Sequence, residues 1–358
     1  MTTARTLIIA EAGVNHNGSL ERALELVDSA AAAGADYVKF QTFDAAKLAS
    51  PRARMAEYQV RNGESGEGQL EMLRRLQLSH DDHRAIIERC GGAGIRFLSS
   101  PFDEASLRFL VEDLGVREIK LGSGELTNAP LLFAAAQRDV GLILSTGMAT
   151  LGEIEDALGV IALASLEPDA PPSRAAFAAA LARDEARDVL ARRVTVLHCT
   201  TEYPAPDAET NLLAMDTLRT AFGLPVGYSD HTQGIAISLA AVARGAVAIE
   251  KHFTMSRSLP GPDHAASLEP SELEELVTQI RRIETALGNG SKQPGPSELR
   301  NRDVARKSLV AAQDLAAGTV LSAEHMAVKR PGGGKNPMMF WDLIGTRLER
   351  DVAQDDPL

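Results

Sequence analysis

The chain has 358 residues, long for one domain and short for three. Its 37 Lys and Arg against 49 Asp and Glu leave a formal net charge of −12, and 44% of its residues are hydrophobic. Those values exclude disorder over most of the chain and argue against a binder of duplex nucleic acid or anionic membrane, which would need a broad basic face. Two cysteines, Cys90 and Cys199, are too few for a disulfide framework or a Cys-rich metal module, so a reducing cytoplasmic setting is expected. Glu11 breaks the apolar start and no run of about 18 apolar residues follows, so neither a signal peptide nor a membrane span is expected.

Short apolar runs predict eight buried strands, around Leu7–Ala10, Tyr37–Gln41, Arg96–Ser99, Glu118–Leu121, Leu142–Ser145, Val194–His198, Val226–Tyr228 and Ala246–His252. Helical patterns lie between them. The first runs through Ser19–Gly34, with Ser19 placed to cap its start and Gly34 to end it. Eight strand–helix units fit a (β/α)8 TIM barrel over residues 1–285; a doubly wound open sheet would normally have fewer strands. Glu167–Arg193 reads as an extra surface helix before the sixth strand. Residues 286–303, rich in Gly, Ser, Pro and charge, read as a linker, and 304–358 as a small turn-rich module.

Barrel enzymes build their sites where strands end. Here the ends carry Glu11 with Asn15, His16 and Asn17; Lys39 and Gln41; Ser99 and Ser100; Lys120, Ser123 and Glu125; Ser145 and Thr146; His198, Thr200, Thr201 and Tyr203; Ser229, Asp230 and His231; and Glu250, Lys251 and His252. A lone Ser or Thr in such a place usually caps the next helix. Lys39 and Lys120 are harder to dismiss, because strand alternation turns both ammonium groups into the barrel. With the hydroxyls and the Gly122 and Gly124 backbone they form a cradle for phosphate or carboxylate. His231 and His252 follow neighbouring strands and would meet on one divalent ion; alone, two histidines at unrelated spacing are weak evidence. His80, His83 and His325 have ordinary polar settings, and Pro331–Gly334 is a glycine-rich loop flanked by Lys329, Arg330 and Lys335.

Together "IIAEAGVNHNGSLERALELVDSAAAAGADYVKFQTF", "FLSSPFD", "IKLGSGELTN", "ILSTGMATLGEIE", "LHCTTEYPAP", "VGYSDHT", "IEKHFT" and "GPDHAASLEP" resemble the N-acetylneuraminate (sialic acid) synthase family. The tail "VARKSLVAA…GTVLSAEHMAVKRPGGG" resembles that family's C-terminal antifreeze-like (SAF) domain. The resemblance implies a transferase of nonulosonic (sialic or legionaminic) acid biosynthesis. It would condense phosphoenolpyruvate with an N-acylated amino sugar of manno configuration, releasing phosphate with C–O cleavage.

By the same resemblance His231 and His252 hold a divalent metal, with Mn²⁺ expected. Lys39, Lys120, Ser123, Ser145 and Ser229 contact phosphoenolpyruvate. Thr201 stands where relatives can have Asn, and Ser100 where some have Thr. Gln41, Tyr203, Asp263 and Arg330 are implied sugar contacts, and Glu11 and Glu125 carboxylates beside the sugar, Glu125 being favoured to handle the water proton. A domain-swapped homodimer is also implied. Two other readings stay open: a 3-deoxy-sugar-acid synthase taking a phosphorylated aldose, and a non-catalytic sugar binder. Removing Lys39 is expected to spare or even stabilise the free protein, as an ammonium without its anion is a liability.

Overall fold

The computed structural model describes residues 5–56 and 68–358. The chain divides into two compact units, Met1–Asn289 and Gly290–Leu358.

The first unit contains eight parallel strands: β1 Leu7–Gly13, β2 Tyr37–Thr42, β3 Arg96–Pro101, β4 Glu118–Leu121, β5 Gly141–Ser145, β6 Val194–Cys199, β7 Val226–Asp230 and β8 Ala248–His252. Their ladder order is β3-β2-β1-β8-β7-β6-β5-β4. β3 and β4 pack side by side without a shared ladder, so the barrel is nearly closed, with one seam unladdered. Several strands run further than their apolar runs suggest: β1 reaches Gly13, β3 Pro101 and β7 Asp230. Glu11, Ser100 and Ser229 therefore sit on rigid strand, not on loops.

Alternation sorts each strand into two faces. Outward residues such as Ile8, Val38, Leu142, Val196 and Ile249 pack under the surrounding helices in the main core. Inward residues form layers, as a barrel interior must be filled by side chains. One layer is apolar: Ile9, Tyr37, Leu98, Ile143, Leu197 and Ala248. Two residues further along the same strands come Glu11, Lys39, Ser100, Ser145, Cys199 and Glu250. Gly227 is the small member of the apolar layer. A Cβ there would lie 2.5 Å from the Ala248 carbonyl oxygen and 2.6 Å from Leu197 Cδ2, so only glycine lets β7 sit this close to its neighbours.

The helix Leu20–Ala32 shows how the outer layer is specified. Ser19 Oγ accepts the Arg22 N–H at 3.3 Å, and Gly34, at φ +81°, ends the helix. Ala23, Leu26, Val27 and Ala30 form its buried face. Each fully buried Leu or Val of this kind contributes about 1.5–3 kcal/mol.

Residues 167–193 form two helices instead of the single one expected, Arg174–Leu181 and Asp184–Arg193. Ser173 caps the first, and Ala180, Ala186 and Leu190 are buried. Arg193 anchors the end of the pair, donating to the carbonyls of Ala136 (2.9 Å) and Val140 (3.2 Å) and to Ser165 Oγ (2.7 Å). A helix, Pro296–Ala305, starts inside the stretch that composition marks as linker and runs past its end; none of its residues is buried. In the second unit β9 Ser308–Ala311 pairs antiparallel with β10 Met326–Lys329. Leu309, Leu315, Leu321, Met326, Leu343 and Val352 make its small core. No helix among the described residues is long and apolar enough to cross a membrane.

Candidate active site

The C-terminal ends of the strands surround a cavity of about 220 Å³. Its floor is an ionic cluster made by alternation: Lys39 and Gln41 share the inner face of β2, Ser229 and His231 that of β7 and its extension, and Glu250 and His252 that of β8. Lys39 pairs with Glu11 and lies 3.5 Å from Glu250, while Lys120 reaches Glu250 at 3.0 Å. Ser229 Oγ donates to Glu250 Oε1 at 2.8 Å, and Lys39 Nζ donates to Ser100 Oγ at 3.3 Å. All four charged groups are buried.

The electrostatics follow from this packing. Burial raises the Glu11 carboxyl to about 7, against the pull of Lys39. Burial also acts on Glu250, but Lys120 and Lys39 outweigh it and hold the carboxyl well below the usual range. Lys39 loses some basicity to burial and regains more from Glu11 and Glu250, ending above its ordinary value. Lys39 is thus paired within the protein, which corrects the expectation of an ammonium without its anion.

Hydroxyls form the wall across from β1. The Gly147 N–H donates to Ser123 Oγ at 3.0 Å, and Cys199 Sγ lies 3.1 Å from the same oxygen. Ser145 Oγ and Thr201 Oγ1 are buried without a hydrogen-bond partner. Buried orphans of this kind cost about 1–3 kcal/mol each, and an anion in the cavity would remove that cost.

His231 and His252 stand at the rim with ring centroids 5.5 Å apart, and the Tyr203 ring lies 4.2 Å from His231 and 5.5 Å from His252. The Thr200 carbonyl, 2.6 Å from His231 Nδ1, requires the proton on Nδ1 and leaves Nε2 as a lone pair. His252 Nδ1 is buried without a hydrogen-bond partner and lies 3.9 Å from Asp263 Oδ2. Burial lowers His231 to about 4; burial, His231 and Lys39 hold His252 well below the usual imidazole range. Burial raises Asp263 to about 6. Among the described residues no three His, Cys, Asp or Glu side chains form a ready ligand set. Two neutral imidazoles, one with its Nε2 lone pair 3.4 Å from Ser229 Oγ and one with an orphaned nitrogen, nonetheless fit a divalent ion whose remaining ligands come from substrate or water.

The structure brings together Glu11, Lys39, Gln41, Ser100, Lys120, Ser123, Ser145, Thr201, Tyr203, Ser229, His231, His252 and Asp263 around one cavity. Glu125 is not among them. It ends a short 3₁₀ turn, half-buried, and accepts the Asn128 side-chain amide at 2.6 Å. Arg330 is exposed and lies in the second unit, just after β10.

Other strand-end residues face away from the cavity. Ser99 donates to the Phe40 carbonyl, Asn15 to the Phe253 carbonyl, and His198 is held by the Thr210 carbonyl. Asp230 and Lys251 pair at 3.0 Å on the outer face, with Thr232 and Ser238 donating to Asp230. Glu250 is the charged residue of the cavity that the sequence assignments omit. Its signal was available, since it stands two residues before His252 on one strand and must share its face.

The fold and the site have counterparts. The NeuB family model matches residues 26–292, and the SAF domain model matches residues 306–358. An N,N'-diacetyllegionaminic acid synthase from Campylobacter jejuni is 46% identical over 98% of this chain and 98% of its own length. One from Legionella pneumophila is 44% identical over 97% of this chain and 91% of its own. Among solved structures, an N-acetylneuraminic acid synthetase from Leptospira borgpetersenii, crystallised with citrate, is 34% identical with a TM-score of 0.67, covering 84% of this chain and 90% of that one. A family match of this extent, on a barrel with this cluster at its mouth, means that the chain belongs to the NeuB family and carries a C-terminal SAF domain.

Proposed function

We propose that the chain condenses phosphoenolpyruvate with 2,4-diacetamido-2,4,6-trideoxymannose, an N-acylated mannosamine-type sugar, to give N,N'-diacetyllegionaminic acid and phosphate. The observation that carries the reaction is the meeting, in one cavity, of two buried lysines and the orphaned hydroxyls of Ser145 and Thr201 with two neutral imidazoles. The choice of sugar is supported by the two relatives named for that product.

Lys39 and Lys120, with the hydroxyls of Ser100, Ser123, Ser145, Thr201 and Ser229, bind the carboxylate and phosphate of phosphoenolpyruvate and fix its orientation. Gln41, Tyr203 and Asp263 contact the sugar. C3 of phosphoenolpyruvate attacks the open-chain aldehyde, water captures the cationic centre that develops at C2, and phosphate leaves with its bridging oxygen. The chemistry that a divalent ion, Mn²⁺ in this reading, supplies when held by His231 and His252 is Lewis-acid polarisation of the aldehyde. Glu11 lines the cavity where Glu125 does not, so the water proton passes to Glu11. The working form in this reading is a cytoplasmic homodimer in which Arg330 of one subunit contacts sugar in the barrel of the other.

Phosphate release measured with each candidate sugar, with the nine-carbon product identified by mass spectrometry, tests the reading. Release that does not depend on sugar, or that requires a phosphorylated aldose, would overturn it.

A further inference from the structure

The cavity has a wall that the ionic cluster does not use, and that wall is apolar. Val14 follows β1, Phe102 follows β3, and Met72, Leu73 and Leu76 come from the helix Gln69–Leu76 in the excursion between β2 and β3. Val14, Met72 and Leu76 are buried against Phe43 and Ala45, so the wall is braced from behind. The two arginines of the helix, Arg74 and Arg75, do not line the cavity, and Arg74 pairs with Glu71 at 3.2 Å on the surface.

The ladder order places this wall relative to the reacting groups. The imidazoles and Asp263 belong to the β7–β8 side, while Ser145 ends β5 and Ser123 and Thr201 follow β4 and β6. In that order the β7–β8 side is followed by Glu11 on β1 and Gln41 on β2, with Phe102 after β3, so a sugar whose aldehyde met the imidazoles would extend past Glu11 and Gln41 toward Phe102 and the helix. A hydroxyl or phosphate set against five apolar side chains would lose water and gain no partner, whereas a methyl group gains contact.

We propose that Val14, Met72, Leu73, Leu76 and Phe102 read the end of the sugar remote from the aldehyde and select a methyl-terminated, 6-deoxy sugar over its hydroxymethyl counterpart. The inference rests on the condensation reading and adds to it the residues that set substrate choice.

The test uses a matched pair differing only at O6: N-acetylmannosamine and 2-acetamido-2,6-dideoxymannose. The full chain should favour the deoxy sugar in kcat/KM by roughly ten- to a hundred-fold, the range in which an apolar pocket discriminates against an added hydroxyl. Leu73 is half-buried and Phe102 is not fully buried, so both tolerate polar replacement. In Leu73→Asn and in Phe102→Asn the preference should shrink toward parity while KM for phosphoenolpyruvate stays near its original value. Equal use of the two sugars by the unmodified chain, or an unchanged preference in both folded variants, would overturn this inference alone. No phosphate release with any sugar would overturn the condensation reading and this inference with it.

Discussion

Glu250 on β8 accepts from Lys120 at 3.0 Å and from Ser229 at 2.8 Å, and Lys39 stands 3.5 Å from its other oxygen. One carboxylate therefore holds two ammonium groups that reach the cavity from β2 and β4. Its replacement by Gln leaves like charges facing each other in a buried space. Glu250→Gln should lose about 3–5 kcal/mol of stability, the cost of breaking a buried ion pair. Added phosphoenolpyruvate should raise the melting temperature of this variant more than that of the unmodified chain. Melting curves with and without phosphoenolpyruvate check both points, and equal shifts would remove Glu250 from the anion balance.

Lys39→Met acts on the same cluster from the other side. Sequence alone favoured a neutral or stabilising effect in the free protein. With Glu11 and Glu250 as partners, removal strands buried carboxylates, so the apo variant should melt lower. Its KM for phosphoenolpyruvate should rise by roughly one to two decades, the worth of a charge-assisted hydrogen bond of about 1.5–3 kcal/mol. Steady-state kinetics with saturating sugar would show whether the loss falls on this substrate.

Gly147 follows β5 at the point where three site residues converge. A Cβ there would lie 2.2 Å from Thr201 Oγ1, 2.8 Å from Ser123 Oγ and 3.0 Å from Cys199 Sγ. Gly147→Ala must displace both hydroxyls while leaving the main core untouched. The expected result is a rise in KM for phosphoenolpyruvate of about ten-fold or more, matching the loss of at least one hydrogen bond to an anion, with little change for the sugar.

Metal removal should stop turnover, and Mn²⁺ should restore it. His252→Gln should also weaken Mn²⁺ binding measured directly by calorimetry, because it replaces an imidazole with an orphaned nitrogen by an amide. Full activity after exhaustive chelation would remove the metal from the mechanism.

Arg330 provides a test of subunit exchange. Arg330→Ala and Lys39→Ala should each turn over poorly at substrate concentrations that serve the unmodified chain. Mixed under conditions that permit exchange, they should regain part of the activity if each site draws its arginine from the other subunit. Exchange without recovery would place the residue in its own subunit's site or outside any site.

The strands and most of the floor of the cavity are legible in the sequence for one reason. Continuous β-branched runs mark parallel strands, and alternation from the apolar layer turns Lys39 and Lys120 inward, whereas Lys251 and Asp230, on the opposite parity of their strands, pair on the outer face. Legibility ends where contacts are set by chain geometry between elements. Glu125 is two residues from Ser123, yet a 3₁₀ turn rotates it out of the cavity toward Asn128. Nothing in the pattern of Met72, Leu73 and Leu76 distinguishes a helix over the mouth from one on the flank. The break between Arg174–Leu181 and Asp184–Arg193 is not legible in the sequence, because Ala182 and Arg183, where the chain bends, carry no turn signal of their own.

The unladdered seam between β3 and β4 divides the lysine pair, with Lys39 one strand back on β2 and Lys120 on β4 itself. Backbone hydrogen bonds fasten every other joint of the barrel, and this one is bridged inside by Glu250, which takes hold of both ammonium groups from the far wall. When the barrel breathes it should open here first, and the ion pairs should stretch with it. An anion gripped by both lysines would then be a clasp across that joint, so that filling the site also tightens the vessel that contains it.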